Sequence, residues 1–124
     1  MRRLSLLLGL GLLTGCAGGH PGKYVVFFTE NSTQLDTPAQ TVITQAAQRA
    51  VASHANVRVE GYAAASHDLS ADELLAIDRA KVVARQLVVD GVDTSRIRQQ
   101  PRGPMNNESG ALASRRVEIE VGGH

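Results

Sequence analysis

Few residues in this chain could do covalent or ligand chemistry, and their spacing narrows the choice. Cys16 is the one cysteine among 124 residues. An intramolecular disulfide is therefore excluded, and the thiol is left for another use. His20, His54, His67 and His124 show no metal-ligand spacing. His67, Asp68 and Asp72 are the one grouping that could be asked to hold a cation, and ordinary exposed loop positions explain them more economically. No serine stands in a nucleophile motif, and no glycine-rich loop is placed to cradle a phosphate. A non-catalytic chain without metal or cofactor is expected. The 13 basic and 12 acidic residues nearly balance, and two of the basic ones are Arg2 and Arg3. That balance leaves no electrostatic footprint for nucleic acid. With 3% aromatic residues, there is also little for stacking on bases.

The segment before Cys16 has the order of a secretory leader. Arg2 and Arg3 form a positive start, and Leu4 to Leu13 is apolar except for Ser5, Gly9 and Gly11. The run is too short to span a bilayer as a helix. Leu13-Thr14-Gly15-Cys16 resembles a bacterial lipobox. The resemblance implies cleavage before Cys16 and a diacylglycerol on its sulfur. Residues 1–15 are then the leader and 16–23 a lipidated cysteine with a short tether. From Cys16 to Lys23 that tether extends at most ~25 Å.

The remainder must bury a core without cross-links, and its patterning shows how. Tyr24-Val25-Val26-Phe27-Phe28-Thr29 reads as a buried strand. A polar loop follows, with Leu35 as a plug into the core. Thr37-Pro38-Ala39-Gln40 is a helix start with Thr37 as cap and Gln40 completing a capping box. Val42, Ile43, Ala46, Ala47, Ala50 and Val51 recur at helical spacing to about Ser53. That alanine-rich face can lie close to a sheet. Val57-Arg58-Val59-Glu60-Gly61 alternates as a strand. Ser70-Ala71-Asp72-Glu73 is a second capping-box pattern. Leu74, Leu75, Ile77, Val82, Leu87 and Val88 carry a long helix, which Gly91 is placed to end in a left-handed cap. Arg96 to Gln100 is a weaker strand, and Pro101 to Gly110 reads as a loop. Arg116 to Val121 alternates most clearly, with Val117, Ile119 and Val121 on one side. The order is β-α-β-α-β-loop-β, and both helices on one face of a sheet is the economical packing.

Four of these pieces resemble the OmpA-like peptidoglycan-binding domain found in peptidoglycan-associated lipoproteins. Phe28-Thr29-Glu30-Asn31-Ser32-Thr33-Gln34-Leu35 stands where that family has an F-D-x-D-S-x-x-L segment. Val57-Arg58-Val59-Glu60-Gly61 matches the strand before its G-H-T-D turn. Asp72 to Ala80 matches its N-x-x-L-S-x-x-R-A helix, and Ser114-Arg115-Arg116-Val117-Glu118-Ile119 its closing N-R-R-V-E-I strand. The resemblance implies an α+β two-layer sandwich over residues 24–121, a small mixed sheet with two main helices on one face, and a tail at 122–124.

It also implies a ligand, the diaminopimelate of a peptidoglycan stem peptide. One arginine would take its carboxylate, because the planar guanidinium fork binds carboxylate at two points. One acid would take its ammonium. Arg79 stands on the arginine position, where a solvated helix residue or pairing with Asp72, Asp78 or Glu60 is the structural alternative. The acid is missing: the family turn becomes Gly61-Tyr62-Ala63-Ala64, with Ala64 on the aspartate position. Asp72 could replace it, or could cap the helix and pair with Arg79. Asp68 and His67 are the other stand-ins. The implied partners are peptidoglycan and the outer membrane at its periplasmic face; the outer membrane is implied because Ala17, not the aspartate of inner-membrane retention, follows Cys16. The alternative is a degenerate periplasmic domain that binds an envelope protein and no peptidoglycan. Arg115 and Arg116 are expected to pair with acids of neighbouring elements.

Overall fold

The structure is a computed structural model that describes residues 22–66, 68–105 and 114–122. Four strands and two long helices follow in the expected order: β1 (Gly22–Phe27), α1 (Thr37–Ser53), β2 (Val57–Ala64), α2 (Leu69–Val89), β3 (Ile97–Met105) and β4 (Arg116–Val121). The sheet order is β1-β4-β2-β3. β4 runs antiparallel to both β1 and β2, while β2 and β3 are parallel. The connections β1-α1-β2 and β2-α2-β3 thus join parallel strands and step across the sheet in the same direction. With the usual right-handed crossover, both helices fall on one face.

That face is the core. Val57 and Val59, then Val117, Ile119 and Val121, turn inward as their alternation requires, and they meet Ile43, Ala46, Ala47 and Ala50 of α1 and Val83 and Leu87 of α2. Each large aliphatic side chain buried this way contributes about 1.5–3 kcal/mol. Leu35 packs against this cluster from the β1–α1 connection. The opposite face of the sheet is polar. Glu118 meets Lys23 at 3.2 Å and Arg116 at 2.7 Å, Arg58 pairs with Glu120, and Arg102 with Glu60. Arg116 also lies 4.1 Å from the centroid of the Tyr62 ring. Arg116 pairs with an acid of its own strand, not of a neighbouring element as expected, and Arg115 donates to the Phe28 carbonyl.

Several local expectations change. The cap of α1 is Asp36, not Thr37: its carboxylate accepts from the Ala39 N–H at 2.8 Å, and a negative charge suits a helix N-terminus better than a hydroxyl. Gln40 does reach back, to the Leu35 carbonyl. The cap of α2 is Asp68, which accepts from the Ala71 N–H, so the helix begins at Leu69 and the box expected from Ser70 does not form. Gly91 behaves as expected. It takes φ 111°, its N–H bonds to the Val88 carbonyl, and that of Val92 bonds to Leu87, which is the Schellman closure.

β1 begins at Gly22, so Gly22 and Lys23 belong to the sheet and not to the tether. β3 continues through Pro101 to Met105, where a loop was expected. It is an edge strand, and a proline whose missing N–H would face outward breaks no ladder bond there. A register shift at Gly61/Tyr62 pairs Gly61 with Pro101 and Tyr62 with Gly103, leaving Arg102 as the extra residue of a bulge. Residues 106–110 of the expected loop, with Cys16, the leader and His67, lie outside the described residues.

Candidate functional site

The residues singled out for ligand chemistry gather at one end of the sheet, where β1 and β2 finish and α2 begins. Arg79 is two helical turns after Asp72, so both lie on the same face of α2, about 10 Å apart along its axis. They do not pair. Arg79 is fully buried, at 0% exposure. Its Nε donates to the Ser32 carbonyl at 2.9 Å, Nη2 to that of Thr29 at 3.0 Å, and Nη1 to that of Tyr62 at 3.3 Å. The guanidinium also lies 5.2 Å from the centroid of the Phe28 ring. Arg79 thus ties the β1–α1 loop and the end of β2 to α2 through backbone carbonyls, and the expected structural partners Asp72, Asp78 and Glu60 are not used.

The electrostatics follow from that burial. Loss of water around the guanidinium, and then the nearby charge of Arg115, lower the Arg79 pKa to about 10. Arg79 therefore stays charged at neutral pH. Arg115 donates to the Phe28 carbonyl, and no ion pair to an acid forms at either arginine among the described residues. A buried cation is costly without an anion or a full set of hydrogen bonds. Among the described residues, this end of the molecule has the hydrogen bonds and no anion against either guanidinium.

Asp72 is nearly buried, at 7% exposure. Its carboxylate accepts from the Ser66 N–H at 2.6 Å and from the Ser66 hydroxyl at 2.8 Å. It fixes the turn between β2 and α2 and neither caps the helix nor meets Arg79. Asp68 is occupied as the α2 cap. Ala64 ends β2, opposite Met105 of β3. Its methyl places no charge at the position where the family resemblance puts an aspartate. No group of three or more His, Cys, Asp or Glu side chains that could hold a metal occurs among the described residues. Sequence reasoning did not single out Ser66, nor Arg115 as a neighbour of Arg79. The three carbonyls that hold Arg79 carry no side-chain signal at all.

An α+β sandwich with two helices over one face of a mixed sheet, and a buried arginine at the loop end, defines the class. The chain belongs to the OmpA family, whose model matches residues 27–118. No curated protein sequence matches it. Among solved structures it is similar to the peptidoglycan-associated lipoprotein from Burkholderia pseudomallei, with TM-score 0.71 and 19% identity over 79% of this chain and 89% of that one. It is also similar to the OmpA-like domain of FopA1 from Francisella tularensis, with TM-score 0.71 and 22% identity over 80% and 70% of the two chains. The C-terminal domain of Helicobacter pylori MotB gives TM-score 0.68 and 19% identity over 86% and 87%. At these identities the likeness carries the fold.

Proposed function

We propose that this chain is a non-catalytic envelope lipoprotein that binds peptidoglycan weakly through the stem-peptide diaminopimelate. Its lipid on Cys16 would hold it to the periplasmic face of the outer membrane. The observation that carries the reading is that, among the described residues, no anion lies against Arg79 or Arg115. A ligand carboxylate would supply an anion here, and a guanidinium fork can receive it in two hydrogen bonds. Membership of the OmpA family and likeness to a peptidoglycan-associated lipoprotein support the choice of ligand. The ammonium of that ligand is poorly served. Ala64 is apolar and Asp72 is held by Ser66. A charged hydrogen bond contributes about 1.5–3 kcal/mol, so its loss weakens binding by roughly one to two orders of magnitude.

A second reading has its own support. Arg79 is closed off by three carbonyls, so a carboxylate reaches it only if the Thr29–Ser32 loop gives way. A domain that kept the fold and lost the ligand would look the same, and its partner would be another envelope protein. Co-sedimentation with purified sacculi separates the two. The wall-binding reading expects the natural chain to sediment and Ala64→Asp to sediment roughly tenfold more tightly. Binding only by Ala64→Asp would favour the second reading. The anchor is tested separately: labelling by a fatty-acid analogue should occur in the natural chain and vanish in Cys16→Ser.

A further inference from the structure

The other end of the sheet carries a second cluster that the wall-binding account leaves unused. Gly22 pairs with Val121, Val121 with Val57, and Val57 with Ile97. These four residues form one row across the sheet, so the chain enters the domain at the end opposite Arg79. At this row lies a cavity of about 270 Å³, lined by Arg58, Arg96 and Arg98 with Asn56 and Ser95 and, among the described residues, by no acidic one. Arg58 and Arg98 are register partners on adjacent strands. Their side chains therefore leave the sheet on the same side, an arrangement that destabilises a sheet when the charges are alike. Arg49 packs against Gly22 at the same end.

Among the described residues, the acids facing this cluster are few and engaged. Glu120 pairs with Arg58, which Glu60 also approaches at 3.8 Å. Asp93 accepts from the N–H and hydroxyl of Ser95 and lies near Arg96. Arg96 itself donates to the His54 carbonyl. Arg98 is exposed.

We infer that this end is a docking surface for anionic phospholipid headgroups of the leaflet that holds the Cys16 lipid. Two observations select that occupant. The charge is complementary to a headgroup phosphate. The span from Cys16 to Gly22 extends at most ~20 Å, so a lipidated Cys16 keeps this end, and not the Arg79 end, close to the bilayer. Attraction between basic side chains and an anionic leaflet falls off within about a Debye length, ~10 Å at 0.1 M salt, so only a surface held this near benefits. Docking would aim the Arg79 end away from the membrane.

The choice of this leaflet rests on the anchor proposed above, and the test is built so that the two fail separately. The chain from residue 16 with Cys16→Ser keeps every described element and carries no lipid. Its sedimentation is measured with vesicles of phosphatidylcholine alone and of phosphatidylcholine with phosphatidylglycerol. Binding to the anionic vesicles only, weakened by salt, is expected. Arg96→Glu with Arg98→Glu should weaken it at least tenfold, the milder Arg96→Gln with Arg98→Gln should weaken it less, and Arg85→Glu on the outer side of α2 should leave it unchanged. Equal binding to both vesicle types overturns the inference, as does full binding by the double Glu variant with an unchanged circular dichroism spectrum. Saturation by millimolar inorganic phosphate without vesicle binding also overturns it and makes the cavity a free-anion site. Loss of fatty-acid labelling at Cys16 with vesicle binding intact would sink the anchor and leave the surface standing.

Discussion

Arg79 is buried with its charge, and three backbone carbonyls rather than an acid hold it there. Its replacement should therefore be felt first in stability. Arg79→Leu leaves the Thr29, Ser32 and Tyr62 carbonyls without their donor, and each part-buried orphan costs about 1 kcal/mol or more. A loss of ~3 kcal/mol or more in urea unfolding is expected, with Arg79→Lys between the two because one ammonium cannot span three carbonyls. An unchanged urea midpoint for Arg79→Leu would contradict the burial. A wall-binding assay that used Arg79→Ala as its negative control would therefore mix unfolding with lost contact. A second residue-scale expectation concerns pH. Burial pushes the Glu118 carboxyl up, and the hydrogen bonds from Arg116 and Lys23 outweigh that and hold it below its ordinary 4.5. A carboxylate held low in the folded state adds stability above 4.5, and that stability is lost as pH falls through the folded value. Glu118→Gln should flatten this acid limb of the unfolding curve, and identical limbs would refute the assignment. The sequence pointed to Arg79 through a motif. Its partners stayed hidden because backbone carbonyls belong to no residue type.

At the scale of elements, the helices pack on their small residues. The face of α2 that meets the sheet carries Ala76, Arg79, Ala80, Val83 and Leu87, whereas Leu74 and Val88, read as part of its apolar stripe, are exposed. The cause is close approach. A Cβ at Gly61 would sit well inside contact distance of the Ala76 carbonyl and 3.0 Å from the Ala80 Cβ. A larger stripe cannot lie on the sheet there, so hydrophobic periodicity alone aimed the helix slightly wrong. Gly61→Ala should cost about 1–3 kcal/mol by overpacking, read as a lower thermal midpoint. A neutral result would mean that α2 stands further from β2 than described. The strands were more legible. Alternation in 57–61 and 116–121 assigned both faces correctly because one face is apolar and the other charged. The far half of β3 was not legible, since prolines that mark loops elsewhere are tolerated on an edge strand.

At the scale of the molecule, the sheet separates two polar ends. β2, with 8 residues, spans about 25 Å, with Ala64 and the Arg79 loop at one end and the Arg58, Arg96 and Arg98 cavity at the other. A chain tied to a membrane at Cys16 would thus present the Arg79 end outward, which is the geometry a wall-binding domain needs. The element order could be read from hydrophobic periodicity, the common face of the helices from economical packing, and the fold class from the family resemblance. The second end could not, because it is assembled from residues distant in sequence that only the strand register brings together. The central claim is that the Arg79 end receives a stem-peptide carboxylate. Its most direct test is a titration of the chain from residue 16, with Cys16→Ser, by a diaminopimelate-containing stem peptide, followed through backbone amide resonances. Shifts concentrated at Thr29, Ser32 and the α2 segment around Arg79, saturating in the weak range expected without the aspartate, are predicted. Unmoved resonances there at millimolar peptide, with the fold intact, would contradict it.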